Sequence, residues 1–187
     1  DINCLVIDEE GSTVTITDPA MKLDVGAIAK GYAVEMAARS LEKKGITGFV
    51  LNVGGNVRTV GPKADGEKWV AGIENPEDDE DKPYLAYLAL AGQSLVTSGS
   101  YQRYYIVNGK RYHHIIDPAT GAPAKNGVIS ATIVSESGIR CDALSTALFI
   151  LGRDGAETYW RTHGDFDYLL VLDDGSVVVS EGIADRF

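Results

Sequence analysis

Basic residues are scarce in this chain: 17 Lys and Arg stand against 27 Asp and Glu, a net charge of −10 over 187 residues. No basic stripe is left to neutralise a run of phosphates, which argues against a nucleic-acid partner. A single phosphate-bearing ligand is not excluded, because it needs only a local site and often a metal. Cysteine is nearly absent. Cys4 and Cys141 form no CxxC pair and no metal-ligand pattern, so both read as free thiols with structural roles. No apolar run approaches the length needed to cross a bilayer as a helix. Internal repeats and low-complexity linkers are missing, and the length suits one domain over 1–187 with a real core. The chain begins at Asp1 without a Met, so a processed protein or an expressed fragment is expected.

What is present is strongly patterned. The acidic excess is partly local, in Glu74, Glu77, Asp78, Asp79, Glu80 and Asp81, around Pro76 and before Pro83. The regular oxygen spacing of a calcium loop is lacking there, so a solvated loop is expected. Asn3 to Asp8 and Thr13 to Thr17 read as a hairpin. From Gly26 to Lys44 the period becomes helical, with Ile28, Ala29, Tyr32, Ala33, Met36, Ala37, Ser40 and Leu41 on one apolar face. Short strands follow, with a two-residue turn expected at Asn108-Gly109. A second helix is predicted from Asp142 to Leu151, closed by Gly152, and a third near Gly155 to Thr162. Helices separated by antiparallel hairpins predict an α+β domain.

Four places could carry chemistry. At Asp24-Val25-Gly26-Ala27, followed by Lys30, a strand gives way to a helix. Small residues and free N–H groups at a helix start suit an anion, and Lys30 adds positive charge. Asp24 could equally serve as an N-cap. Gly54-Gly55 either makes a turn that needs positive φ or lets a cofactor touch backbone. His113 and His114 alternate on a strand, so they cannot easily share one metal; either could donate to phosphate, move a proton, or hold structure. Asp142 and Thr146 lie four apart, on one helical face. A carboxylate with a hydroxyl suits Mg²⁺. The competing reading is that Asp142 caps the helix and Thr146 bonds back to the preceding turn.

Taken in order, the blocks DVGAIAKGYAVE, LNVGGNVRTVG, WVAGIENP, TSGSYQRYY, YHHIIDPATGAPA and CDALSTALFILG resemble those of the ApbE family of FAD:protein FMN transferases, from about Leu23 to Gly152. The resemblance implies an ApbE-like, T-fold-related α+β fold, with antiparallel sheets and a few packed helices. It implies Mg²⁺-dependent transfer of FMN from FAD to a Thr or Ser hydroxyl of a target protein. Alternatives are a flavin- or metal-binding module without transfer, and an FAD pyrophosphatase giving FMN and AMP. Carried over to these positions, the metal ligands would be Asp142, Thr146, the Ala27 carbonyl and, more weakly, Ser145. Asp24, Lys30, Gly54, Gly55, His114 and Ile115 would contact FAD, with Ser98-Gly99 shaping the pocket. His114 would stand by the pyrophosphate as donor or base, with Asp142 as the other catalytic group. The family also implies an earlier segment with a Met-Gly-Thr-like motif covering the flavin. That motif is not found in this sequence, so the flavin end of the pocket is expected to be absent or supplied by another subunit. The implied partners are FAD, an acceptor redox protein and, for a shared pocket, a second copy. The implied location is extracytoplasmic.

Overall fold

A computed structural model describes residues 1–77 and 79–186. Among these residues the alternating stretches become fourteen short strands. After a 3-10 turn come β1 (Leu5–Asp8) and β2 (Thr13–Ile16), a hairpin with exposed faces. Helix α1 (Gly26–Lys43) leads into β3 (Phe49–Val53), β4 (Asn56–Val60), β5 (Trp69–Glu74), β6 (Tyr84–Leu90) and β7 (Ser94–Gly99). Next come β8 (Tyr104–Val107), β9 (Lys110–His113), β10 (Ile116–Asp117), β11 (Ala122–Pro123) and β12 (Val128–Ser135). Helix α2 (Gly138–His163), β13 (Asp167–Leu172) and β14 (Val177–Val179) complete the order, before a last 3-10 segment.

Six strands form the main sheet, in the order β14-β13-β12-β7-β4-β3, with every neighbouring pair antiparallel. Alternation along each strand then gives the sheet two apolar faces. On one face Val96, Ala131 and Ile133 pack with Cys141, Leu144, Leu148 and Phe149 of α2. On the other, Leu95, Val134 and Leu169 pack with Ile73, Leu88 and Leu90 of the β5–β6 hairpin. The fold is therefore α+β with helices on one side of an antiparallel sheet, as the pattern predicts.

Two details differ from the sequence reading. The face of α1 expected to be buried is turned outward: Ile28 is 41% and Tyr32 57% exposed. Gly31, Val34, Glu35 and Ala38 are buried instead. The buried stripe carries Gly31, and the missing Cβ there is what lets α2 approach closely. Second, α2 begins at Gly138, not Asp142, because the Ser137 side chain accepts from the Arg140 N–H and caps it. The break expected at Gly152 is present: its φ of 74° and ψ of −178°, which only glycine adopts readily, are non-helical and divide α2 into two helical segments. The acidic loop between β5 and β6 is exposed at Glu77, Asp79, Glu80 and Asp81, as a solvated loop should be; Asp78 lies outside the described residues.

Candidate functional site

The site is built where α1 and α2 touch. Asp142, 3% exposed, sits in the second turn of α2. Its Oδ2 accepts from the buried Gly31 N–H at 2.7 Å, and its Oδ1 lies 3.4 Å from Lys30 Nζ. This removes the capping alternative, since Ser137 caps the helix and Asp142 reaches across to α1. The contact needs a glycine. A Cβ on Gly31 would lie 2.5 Å from the Gly138 carbonyl oxygen and 2.7 Å from Asp142 Cβ.

One consequence concerns Ala27. In an α-helix the N–H of residue i points at the carbonyl of i−4, so Gly31 would serve Ala27. Asp142 competes for that same N–H. The Ala27 carbonyl is thus left with acceptor capacity, close to a buried carboxylate aimed at the same donor. Asp24 is not the formal cap, which is Val25, but its Oδ1 accepts from the Gly26 N–H at 2.6 Å. Val25 O accepts from Ile28 and Ala29 at 3.0 and 2.9 Å. The helix start therefore offers fewer free N–H groups than its sequence suggests. Charge for an anion comes from Lys30, which is half-exposed.

Below Asp142 the donors are hydroxyls. Ser98 Oγ of β7 is 2.8 Å from Ser145 Oγ and 3.2 Å from Thr146 Oγ1. The Ser145 hydroxyl also donates to the Asp142 carbonyl at 2.9 Å, so its side chain is committed to the helix and to β7. Ser98 is thus more than a pocket wall: it holds the two hydroxyl residues in place. The donor set of one buried carboxylate, a Thr hydroxyl and a spare main-chain carbonyl fits a hard divalent cation that keeps water or phosphate oxygens. Among the described residues no group of three or more His, Cys, Asp or Glu is assembled, as a dedicated all-protein cage would need.

The histidines separate, although not by alternation along one strand: β9 ends at His113, and His114 lies in the bend just beyond it. His113 is structural. Its Nε2 bonds the Ala124 carbonyl at 3.0 Å, its Nδ1 accepts from the Ile115 N–H at 3.3 Å, and its ring meets Phe149 edge-on. His114 is exposed, with Nδ1 3.2 Å from the Arg103 carbonyl oxygen. That partner can only accept, so Nδ1 carries the proton in the neutral ring and Nε2 keeps its lone pair. Ile115 requires a correction. It is 4% exposed and packs in the core with Val96 and Leu148, so its side chain serves the core and not a ligand surface.

Gly54 and Gly55 have φ of 58° and 83° and make the two-residue β3–β4 turn, with open space around each missing Cβ. The turn explains the glycines by itself. They also border a cavity of about 460 Å³ with Tyr84, Tyr87 and Tyr101, on the sheet face away from the helices. A cleft of about 1010 Å³ beside the acidic loop is larger still, yet neither it nor the smaller cavity includes Asp142, Lys30 or Thr146. Convergence of groups, not volume, marks the site.

Sequence reasoning missed the polar layer that supports this contact. Glu35, 6% exposed, accepts from the Gly138 N–H at 3.3 Å and faces Arg58 Nε at 3.9 Å. Arg58 donates to the carbonyls of Gly92 and Glu136, both at 2.7 Å. Two charged residues at helix and strand positions give no sign of burial until the partners are known.

Cys141 lies beside Asp142 but points into the core. Burial pushes its thiol up to about 12, opposed by weaker hydrogen-bonding from Ser135. A raised thiol pKa favours folding below the unfolded value, and that contribution is lost as pH rises from about 9 towards 12. Iodoacetamide at pH 8 is expected to label only the partly exposed Cys4 in the native protein and both thiols in denaturant. Mass spectrometry counts the adducts; two in the native protein would mean that the α2–sheet packing is open.

Known proteins share this arrangement of elements. The model of the ApbE family matches residues 1–170. An FAD:protein FMN transferase of Klebsiella pneumoniae (strain 342) is 35% identical over 98% of this chain and 56% of its own length. One of Treponema pallidum (strain Nichols) is 36% identical over 93% of this chain and 50% of its own. The crystal structure of the ApbE protein from Thermotoga maritima superposes with a TM-score of 0.89 at 35% identity, covering all of this chain and 60% of that one. The flavin transferase ApbE from Vibrio cholerae gives 0.84 at 29%, covering all of this chain and 59% of that one. The chain thus spans about half the length of the curated relatives it matches.

Proposed function

The chain belongs to the ApbE family, and from that premise we propose that it carries the metal-binding part of an FAD:protein FMN transferase. What supports the reading is one convergence: Asp142 meets Gly31 and Lys30 of α1, while Thr146 is held by Ser98 on the same face of α2. Asp142, Thr146 and the Ala27 carbonyl would hold Mg²⁺, with Ser145 bracing the first two. The ion, when bound, neutralises charge on the FAD pyrophosphate. Lys30 would pair with phosphate oxygens once its carboxylate partner is shared. Asp24 and Gly54-Gly55 would border the nucleotide.

The reaction joins the oxygen of a Thr or Ser hydroxyl on an acceptor redox protein to the FMN phosphorus. The pyrophosphate P–O bond breaks, and AMP leaves with its electron pair. The hydroxyl proton goes to His114 Nε2, the ring nitrogen left without a proton by the Arg103 contact. The same reading treats residues 1–187 as one domain acting outside the cytoplasm, with the flavin side of the pocket supplied by another subunit.

The test is to incubate the chain with FAD, Mg²⁺ and an acceptor bearing the target Thr. Fluorescent flavin on the acceptor in a denaturing gel supports transfer. Free FMN without a labelled acceptor would mean a pyrophosphatase, and retained, unreacted FAD a binding module. His114→Ala is expected to lower turnover at saturating FAD by about 10²–10⁴-fold. The side chain is exposed, so the fold should survive the substitution, and circular dichroism checks that it does. Normal turnover would return His114 to a structural role.

A further inference from the structure

Asn56 is fully buried, and neither its carboxamide nitrogen nor its oxygen has a hydrogen-bond partner among the described residues. Its backbone is paired in the sheet, opposite Val53 on one side and Val96 on the other. Leaving a buried amide unpaired costs about 1–3 kcal/mol per group, and a Leu of similar size would avoid that cost. For stability alone, Asn56 is therefore the wrong residue.

Its position shows where partners would come from. Asn56 and Arg58 are two apart on β4 and share a face. Arg58 reaches Glu35 on α1. Arg58 stands opposite Ser94, whose carbonyl meets Cys141, while Ser98 farther along β7 meets Ser145 and Thr146; with Glu35 at Gly138 and Gly31 at Asp142, β4 runs in the direction of α1. From Glu35 back to Gly31 is about 6 Å of helix. From Arg58 back to Asn56 is about 7 Å of strand. Asn56 thus lies beneath the Gly31–Asp142 contact, as Arg58 lies beneath Glu35. On the neighbouring strand, Val96 stands opposite Asn56, and Ser98 is two residues on along the same face, bonded to Ser145 and Thr146.

We infer that Asn56 is a positioning residue of this site: its carboxamide takes its hydrogen-bond partners from the water shell of a divalent cation held by Asp142 and Thr146. The role rests on the proposed metal reading. It adds an amide donor group and a carbonyl acceptor to the hydroxyls of Ser98, Ser145 and Thr146, and so fixes how that shell is oriented. Asn56 touches neither substrate nor reacting atoms in this account.

Mn²⁺ is the probe, titrated by electron paramagnetic resonance into the wild-type chain, Asn56→Leu and Asn56→Ser, with metal-free melting temperatures recorded for each. Asn56→Leu is expected to melt no lower than wild type without metal, yet to bind Mn²⁺ about 10–100-fold more weakly. Asn56→Ser, which keeps a hydroxyl, should recover part of that loss. Equal Mn²⁺ affinity in Asn56→Leu and wild type overturns the role of Asn56 while leaving the metal site standing. No Mn²⁺ binding by the wild-type chain overturns the metal site and this role together. Should Asn56→Leu fail to fold, Asn56→Ala replaces it: weaker Mn²⁺ binding than Asn56→Ser supports the role. Equal affinities in those two overturn it.

Discussion

Replacing Asp142 with Asn is expected to weaken divalent-cation binding by at least about 100-fold, more than the loss of a supporting group alone. Asn keeps an oxygen that can accept from the Gly31 N–H, now 2.7 Å from Oδ2. It removes the only carboxylate in the donor set, and with it the charge that attracts both the cation and Lys30 at 3.4 Å. The fold should therefore survive Asp142→Asn with little change in melting temperature. Asp142→Ala is different. It removes the acceptor too, leaving a buried N–H unpaired at a cost of about 1–3 kcal/mol. Mn²⁺ titration and thermal melts on both variants separate charge from hydrogen bonding. Full cation affinity in Asp142→Asn would remove this residue from the metal site.

The second large effect belongs to Gly31. Helix propensity alone says that Gly31→Ala should stabilise α1 by about 1 kcal/mol. The structure reverses the sign. The new Cβ would stand 2.5 Å from a main-chain oxygen of α2 and 2.7 Å from the Asp142 Cβ, and neither can swing aside as a flexible side-chain tip could. The helices would have to separate, which also lengthens the Gly31–Asp142 hydrogen bond. A loss of at least about 2–3 kcal/mol is expected, read as a fall of roughly 5–10 °C in melting temperature. Cation affinity should fall with it, because Asp142 and the Ala27 carbonyl are brought together by that contact. If the Gly31→Ala variant melts at or above the wild-type temperature, the two helices do not touch at this residue.

Much of the frame was legible from residue order. Periodicity marked α1 within a residue at its C-terminal end, and Asn108-Gly109 marked the β8–β9 turn with its register. The sequence reading kept His113 and His114 from sharing one metal, and the structure gives them different partners, though His114 lies beyond the end of β9. Other features were hidden because they depend on partners distant in sequence. Which stripe of α1 is buried is decided by where α2 lies. The buried Glu35 and Arg58 look like surface residues until each is seen with its partner. Ile115 stands next to a polar His in a loop-edge segment, and only packing against Leu148 and its neighbours shows it to be core.

By itself the sequence determined the α+β class, the order of the elements, the family, and the pairing of Asp142 with Thr146 on one helical face. The family follows from the resemblance of the ordered blocks; the rest follows from local rules: the 3.6- and 2-residue periods, turn chemistry and side-chain spacing. Only the tertiary structure decided what that face meets. Asp142 and Gly31 are 111 residues apart, and no local rule can say that one accepts the other's N–H. Close packing of two helices at a residue without a Cβ brings carboxylate, lysine, carbonyl and hydroxyl into one place, and such a site depends on that convergence.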